Sequence, residues 1–260
     1  MNTKYPIILV HGIMIKDVGR LRAFGRIEKA LKKEGFTVYS APTEAFGNIE
    51  YNADILQRYV DKILARHDVE KVNIIAHSKG GLDSIYMINN LGMADKVASL
   101  TAVSTPFKGS VISTRLLCRW PKFLIKMTAF LLNTFFRILG DKKPNALLAT
   151  EQVSEKALRE NPITLPEGVY CQSYSSTLKR GRDDLIMAIP LHMSKKEGQT
   201  ETDAVIHKQS AIFGDYKGEC VAGESFSHAQ IIDFLTPKKK SLKIRCFYVN
   251  ICKSLSTNGY

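Results

Sequence analysis

The sequence predicts an α/β fold with a mostly parallel central sheet and helices on both of its faces. Short apolar runs alternate with helical stretches of ten or more residues, and such connections are right-handed crossovers that make neighbouring strands parallel. The chain has 260 residues, of which 45% are hydrophobic, enough for one domain with a sizeable core. Because no linker, repeat or low-complexity segment divides it, we expect a single domain over residues 1–260.

The elements follow one another in order along the chain. The predicted strands are Ile7–Val10, Phe36–Ser40, Lys71–Ala76, Val97–Ser104 and Gly168–Ser176, and the predicted helices are Leu21–Lys33, Tyr51–Arg66, Gly80–Asn90 and Cys246–Leu255. A helix start is predicted at His228–Leu235, and the apolar patch Leu185–Leu191, inside the polar insert 177–202, is a candidate strand. Ligands of such sheets bind at the carboxyl ends of the strands. The loops at His11, Ser78 and Ser104 follow strands and should therefore cluster at one edge.

The most informative motif is the strand-to-helix junction around Ser78. The apolar run Val72–Ala76 leads into His77-Ser78-Lys79-Gly80-Gly81 and then into a predicted helix. A turn this tight pushes the serine hydroxyl out to the end of the strand, where a histidine can take its proton and the oxygen can attack a carbonyl carbon. Gly80 lets the helix start pass close to the strand, and Ala76 replaces the first glycine of the usual G-x-S-x-G pattern. Serine beside glycine is also common in ordinary loops. Whether Ser78 is a nucleophile therefore depends on the residues elsewhere in the chain that could act with it.

A serine nucleophile needs a base to take its proton and an acid to orient that base. His228 lies in a polar loop beyond the last core strand, and a loop histidine has the reach that a base requires. Asp203 lies in a turn between core elements, where an aspartate usually accepts hydrogen bonds from its own backbone. The chain order serine, aspartate, histidine, known from one large class of serine hydrolases, favours the catalytic interpretation. The alternatives are His192 and His207 for the base, and Glu201, Asp184 and Asp215 for the acid.

Two backbone N–H groups are predicted to bind the negatively charged oxygen that forms during the attack. One belongs to Lys79, directly after the nucleophile, and the other to Ile13, in the loop after the first strand. Gly12 lets this loop approach Ser78 closely, and the positive end of the helix dipole adds to the site. Because both donors are main-chain groups, the position of these two residues matters more than their identity.

The segment 107–149 interrupts the alternation and is predicted to be a helical lid inserted in the domain. Apolar side chains fill most positions of Phe123–Gly140, and Lys126, Asn133 and Arg137 fall on one narrow helical stripe. The uncharged run between Lys126 and Arg137 has ten residues, far short of the roughly 20 that span a bilayer. A core helix is the alternative. The position after Ser104, however, places the segment over the edge where the strands end.

Five motifs in order resemble the bacterial triacylglycerol lipase family of α/β hydrolases. They are V-H-G-I at 10–13, A-H-S-K-G-G at 76–81, V-S-T-P-F-K-G-S at 103–110, T-D-A-V at 202–205 and S-H-A-Q-I-I-D at 227–233. The alanine form of the elbow is similar to that of the small Bacillus lipases. The resemblance implies an α/β-hydrolase fold with Ser78 as nucleophile, Asp203 as acid and His228 as base, with Ile13 and Lys79 at the oxyanion hole. It also implies that the apolar segment after Phe107 is the lid.

The chain departs from this family at a metal site. Many larger members bind a structural calcium ion near the catalytic histidine through an aspartate two residues after it. Gln230 stands at that position here and is a neutral, weaker ligand. Asp233 is nearby, but no sufficient set of carboxylates accompanies it. We therefore expect no cofactor, and a structural calcium ion is doubtful.

The predicted function is cleavage of carboxylic esters with fatty acyl groups, such as acylglycerols, through a Ser-His-Asp triad and an acyl-enzyme. The alternatives are a phospholipase or an acyltransferase with the same triad, and a non-catalytic membrane-surface binder on a hydrolase scaffold. A net charge of +12 favours transient contact with an anionic lipid surface. The basic residues are mostly scattered, and Lys238–Lys240, the densest run, lacks stacking aromatics. We therefore interpret this run as a solvated face and expect no nucleic-acid partner.

The cysteines and the N-terminus bear on the compartment. Five cysteines are an odd set without C-x-x-C spacing, which argues against a zinc site and a disulfide framework and fits free thiols under reducing conditions. Met1 leads directly into an apolar strand, without the pattern of a signal peptide. We expect a cytoplasmic protein, although the mature form of a secreted one would look the same.

Overall fold

A six-stranded parallel sheet forms the centre of the protein, whose computed structural model describes residues 3–260. The strands are β1 (Ile7–Val10), β2 (Val38–Ser40), β3 (Val72–His77), β4 (Val97–Val103), β5 (Tyr170–Ser175) and β6 (Asp215–Glu219). Their order in the sheet is β2-β1-β3-β4-β5-β6, and each neighbouring pair is parallel. Because β1, β3 and β4 lie side by side, their carboxyl ends meet at one edge.

Helices cover both faces of this sheet. They are α1 (Ile27–Lys33), α2 (Ile49–His67), α3 (Lys79–Asn90), α4 (Val111–Arg119), α5 (Lys122–Ile138), α6 (Ala146–Gln152), α7 (Glu155–Glu160), α8 (Ala188–Lys196), α9 (Lys208–Ala211) and α10 (Lys238–Thr257). Three short 3-10 turns lie at Ala94–Lys96, Gly181–Asp183 and Gln230–Ile232.

The core consists of two apolar layers, one on each side of the sheet. Alternate residues of a strand point to opposite faces. Ile8 of β1 therefore packs in one cluster with residues of α2 and α3, and Ile7 packs in the other with residues of α1 and α10. Both side chains are fully buried. The prediction of a parallel sheet with helices on both faces is confirmed.

Several element boundaries differ from the prediction. Helix α1 begins at Ile27 rather than Leu21, because the side chain of Asp17 accepts a hydrogen bond from the Ala23 N–H and holds the preceding residues in turns. Strand β6 was not predicted, since its sequence D-Y-K-G-E is polar, as expected for an edge strand with one side free.

The C-terminal third shows three further corrections. The candidate strand Leu185–Leu191 is wrong: these residues lead into α8. The helix start predicted at His228–Leu235 is only a 3-10 turn, which ends where Asp233 adopts a left-handed φ of 59°. Helix α10 begins at Lys238, immediately after Pro237, and not at Cys246.

The segment between β4 and α7 forms the helical layer α4–α6 outside the sheet. Ala129 and Phe136 of α5 pack against Phe46, in the loop after β2, with the two phenylalanine rings 4.8 Å apart and edge to face. The carboxylate of Glu44, in the same loop, accepts hydrogen bonds from the N–H groups of residues 142 and 143. The far end of the layer is thus attached to the loop after β2. In the part of the chain that the structure describes, no helix is both long and apolar enough to cross a membrane.

Candidate active site

Ser78 lies in the turn between β3 and α3, at the carboxyl edge of the sheet. Its backbone has φ 55° and ψ −133°, a strained conformation for a residue other than glycine. Its N–H donates to the carbonyl of Val103 at the end of β4, over 3.1 Å. Such strain, held by the surrounding sheet, is the property of a nucleophile elbow that exposes a serine hydroxyl.

Two glycines allow the backbone to approach this turn. A Cβ on Gly80 would lie 2.5 Å from the carbonyl oxygen of His11 and 2.6 Å from that of Val10. A Cβ on Gly12 would lie 2.5 Å from the Cβ and 3.0 Å from the Oγ of Ser78. The first contact is helix against strand, and the second is loop against nucleophile, so only glycine fits at either position.

The structure brings together the three side chains predicted as a triad. His228 Nε2 lies 2.9 Å from Ser78 Oγ, and His228 Nδ1 lies 2.7 Å from Asp203 Oδ2. Ser78 and His228 are 8% and 9% exposed, and Asp203 is fully buried. A neutral His228 that donates from Nδ1 to the carboxylate presents a free lone pair on Nε2 to the serine hydroxyl. This geometry allows the imidazole to take the proton of Ser78.

The carboxylate of Asp203 accepts hydrogen bonds from its own turn and also contacts the ring of His228. Its Oδ1 accepts hydrogen bonds from the N–H groups of Val205 and Ile206, at 2.9 and 2.7 Å, while Oδ2 faces His228. The Asp203 carbonyl also accepts the N–H of His228, at 2.9 Å. The local backbone role and the orienting role are therefore compatible, because each uses a different oxygen.

The alternative acids and bases have other surroundings. Glu201 pairs with Lys208, and Asp215 pairs with Lys217. Asp184 accepts a hydrogen bond from the Ser227 hydroxyl, next to the histidine loop but not from the histidine ring. Of the two histidines considered as alternative bases, His192 is exposed on α8 and His207 precedes α9.

His77, directly before the nucleophile, packs against the ring of His228, with the ring centroids 4.4 Å apart. Burial lowers the pKa of His77 well below its usual value, so this ring stays neutral. It therefore supports the His228 ring from the side without adding a second positive charge.

His11 braces the loop that holds Gly12 and Ile13. Its Nδ1 lies 3.0 Å from the Gly12 carbonyl oxygen, and its Nε2 lies 3.0 Å from the Thr43 carbonyl oxygen and 3.2 Å from the Thr43 hydroxyl. Burial lowers the pKa of His11, and each of its ring nitrogens faces a backbone carbonyl oxygen, one of Gly12 and one of Thr43. Because a trans peptide directs its C=O and N–H oppositely, a fixed Gly12 carbonyl also fixes the direction of the Ile13 N–H.

The side chain of Lys79 points into the protein and not toward the nucleophile. It is buried, and its Nζ lies 2.5 Å from Asp83 Oδ1, while Asp83 Oδ2 accepts a hydrogen bond from Asn52. Burial raises the pKa of Asp83 to about 6, although the adjacent ammonium opposes that shift. Only the backbone of Lys79 is left for the site, but its side chain is part of the buried network under the elbow. No pattern in the sequence predicts this role.

No group of three or more histidine, cysteine or acidic side chains comes together as a metal site within residues 3–260. The five cysteines are free. The reactive side chains at this edge of the sheet are those of Ser78, His228 and Asp203, with backbone N–H groups beside them.

A parallel sheet that carries a strained serine turn, with a histidine and an aspartate at the same edge, defines the class of α/β hydrolases. The chain belongs to the α/β-hydrolase fold family, whose model matches residues 5–190. The resemblance predicted from the motifs is confirmed at this level.

Relatives and solved structures agree with this family. A triacylglycerol lipase of Pseudomonas fragi is 33% identical over 117 residues, which is 45% of this chain and 39% of that lipase. The chain thus matches about two fifths of the length of this curated relative. The mature lipase BlEst2 of Bacillus licheniformis superposes with a TM-score of 0.67 at 17% identity, over 98% of this chain and 93% of that one. A metagenomic carboxyl esterase, MGS0156, superposes with a TM-score of 0.71 at 16% identity, over 96% and 76%. At these identities the two structures show the fold alone.

Proposed function

We propose that the protein is a serine hydrolase that cleaves carboxylic esters of fatty acids. The observation that supports this most is the continuous hydrogen-bonded row Ser78–His228–Asp203, with distances of 2.9 and 2.7 Å. Such a row activates a hydroxyl that is otherwise a weak nucleophile. The partial match to triacylglycerol lipases points to the same chemistry.

In the proposed mechanism, His228 Nε2 takes the proton of Ser78 Oγ as the oxygen attacks the ester carbonyl. The N–H groups of Ile13 and Lys79 bind the resulting oxyanion, and Asp203 stabilises the imidazolium. His228 then gives its proton to the leaving alcohol, and an acyl-enzyme remains on Ser78. A water molecule, deprotonated by His228, attacks this ester, and the acid leaves as the proton returns to Ser78. No step needs a cofactor.

The layer α4–α6 favours a fatty acyl substrate. Helix α5 exposes a row of large apolar side chains at helical spacing, of which these are at least half exposed: Phe123, Met127, Phe130, Leu131, Phe135 and Ile138. Such a row on one helix is typical of a surface that meets lipid. The ester substrate would then be drawn from a lipid phase rather than from water.

The charge of the same segment indicates an anionic lipid surface. No acidic residue occurs between Lys96 and Asp141, whereas basic residues occur at Lys108, Arg115, Arg119, Lys122, Lys126 and Arg137. Apolar side chains that enter the interface, together with cations that remain at its surface, bind anionic membranes. We propose transient contact between α5 and such a membrane, and we propose no nucleic-acid partner.

Hydrolysis of p-nitrophenyl esters from acetate to palmitate tests the enzymatic proposal. We expect the wild type to prefer medium and long acyl chains. We expect Ser78→Ala to lose about six orders of magnitude in kcat, because the nucleophile is removed. A wild type as inactive as Ser78→Ala would overturn the enzymatic proposal, and a preference for acetate would leave an esterase in place of a lipase.

Sedimentation with phospholipid vesicles tests the membrane proposal. We expect binding to phosphatidylglycerol vesicles at low salt and little binding to phosphatidylcholine vesicles. Phe130→Ser should weaken the binding by about thirtyfold, since about 2 kcal/mol of apolar burial is lost. Leu165→Ser is the control, because Leu165 is an apolar residue outside α5 that is also more than half exposed; this variant should bind like the wild type. Equal binding by all three proteins would exclude α5 as the contact. Release of fatty acid from the vesicles themselves would favour the phospholipase alternative.

A further inference from the structure

The loop that carries His228 is linked by side chains to the segment before α8. The Ser225 hydroxyl donates to the Asp183 carboxylate over 2.7 Å, and the Ser227 hydroxyl donates to that of Asp184 over 2.5 Å. The amide of Gln230 donates to the Asp183 carbonyl at 3.0 Å. Both flanks of the catalytic histidine are therefore attached to one neighbouring segment.

The ammonium of Lys240, in the first turn of α10, lies at the centre of these links. Its Nζ lies 2.6 Å from the Ser225 carbonyl oxygen, 2.9 Å from Gln230 Oε1 and 3.3 Å from the Asp183 carbonyl oxygen. The ring of Phe226 lies 5.3 Å from the same Nζ. An ammonium has three donors and no acceptor, and three oxygens use all of them here.

The other two lysines of the run differ from Lys240. Lys238 and Lys239 are exposed, whereas Lys240 is half-buried. The interpretation of Lys238–Lys240 as a solvated face is therefore wrong for one residue of the three. Periodicity could not have revealed this, because the acceptors come from segments 10, 15 and 57 residues away in sequence.

We propose that Lys240 is a positioning residue whose ammonium serves as a built-in cation and holds the His228 loop in its active position. The inference rests on the proposed function, because it concerns the base of that reaction. Two backbone carbonyls and one amide oxygen surround a single positive charge, with the carboxylates of Asp183 and Asp184 close by. This is the environment that proteins otherwise offer to a bound cation.

The same arrangement does not fit the calcium ion that the lipase resemblance implies. The oxygens that face the centre of this cluster are already used by Nζ, and a divalent ion beside an ammonium would be repelled. Gln230 supplies one neutral oxygen where an aspartate would supply a carboxylate, and its amide nitrogen donates to Asp183. A lysine from α10 thus replaces the metal as the link between the two segments.

The position of His228 depends on this link, because the ring must reach two partners at once. Its backbone is fixed on one side by the N–H that donates to the Asp203 carbonyl. In addition, the residues on either side of His228 are held by Lys240, whose Nζ donates to the Ser225 carbonyl oxygen and to Gln230 Oε1. A shift of about 1 Å at such a site costs roughly a hundredfold in rate, so removal of the ammonium should act on kcat.

Three variants test the inference: Lys240→Met, Lys240→Arg and the control Lys239→Met, which changes an exposed neighbour in the same turn. With a soluble p-nitrophenyl ester, we expect Lys240→Met to lose about a hundredfold in kcat with KM nearly unchanged. Lys240→Arg should keep most of the rate, and Lys239→Met all of it. Ammonium, which has the size of the missing Nζ and carries N–H donors, should partly restore Lys240→Met, whereas tetramethylammonium, which has no N–H donor, should not.

Hydrogen exchange supplies a readout that does not depend on activity. Amides of the peptide 224–233 should exchange faster in Lys240→Met than in the wild type or Lys239→Met. The inference is overturned if Lys240→Met keeps wild-type kcat and exchange, or if neither arginine at position 240 nor added ammonium restores the rate. A wild type without esterase activity would refute the proposed function alone, and the exchange experiment would still decide whether Lys240 braces the loop.

Discussion

Replacement of Asp203 by asparagine is expected to lower kcat by about four orders of magnitude while the fold survives. Asparagine has nearly the same shape, and its carbonyl oxygen can keep the hydrogen bonds from Val205 and Ile206 that Oδ1 accepts. Its NH₂ group would then face Nδ1 of His228 and select the tautomer that carries the proton on Nε2. That tautomer cannot accept the proton of Ser78, so the rate falls although the turn is intact.

Steady-state hydrolysis of a p-nitrophenyl ester and thermal unfolding together check this prediction. The melting temperature should change by only a few degrees, since the local turn is preserved. Glu201→Gln is the matched control, because Glu201 lies in the same region but pairs with Lys208 at the surface. If Asp203→Asn turns over at the wild-type rate, the acid is another residue, and Glu201 and Asp184 are the next to be changed.

Gly12→Ala is expected to reduce kcat by about a hundredfold to a thousandfold, the usual effect of losing one oxyanion donor. The new methyl group would overlap the side chain of Ser78, with 2.5 Å between the two Cβ atoms. The loop must then move away from the nucleophile and take the N–H of Ile13 with it. Because the collision is with a side chain at the edge of the sheet, the core is left in place.

Gly80→Ala provides the comparison, since its methyl group would collide with the backbone oxygens of Val10 and His11. Neither β1 nor α3 can move without disturbing the core, so this variant should lose stability, and activity only as a consequence. Urea unfolding and kcat measured on both variants separate the two effects. A Gly12→Ala protein with wild-type kcat would show that this loop does not supply an oxyanion donor.

The elbow could be predicted from sequence because its properties are local. The buried strand, the serine, and the glycine that the close approach requires all lie within ten residues, Val72–Gly81. The order of Ser78, Asp203 and His228 then reduced the choice of partners to few candidates. The structure places these three within hydrogen-bond distance and gives the rival acids other partners, as far as the described residues show.

Three other features of the structure could not be predicted, because the sequence carries no distinctive pattern for them. Strand β6 is polar because it lies at the edge of the sheet, so its sequence has no apolar alternation. The patch Leu185–Leu191 is too short for periodicity to distinguish strand from helix. The ring of His11 has its role only because the loop after β2 brings Thr43 to it, 32 residues further along the chain.

The sequence by itself determined the fold class and singled out Ser78, Asp203 and His228 as candidate site residues in their chain order, because strand, turn and glycine requirements are short-range. Tertiary structure alone decided the distances in the triad, the burial of Lys79 with Asp83, and the place of Lys240 behind the histidine loop. The sequence does not distinguish a lysine whose ammonium is solvated by water from one whose ammonium donates to carbonyl oxygens. Only the packing of α10 against the loops of the catalytic edge brings those oxygens within 3.3 Å of Nζ.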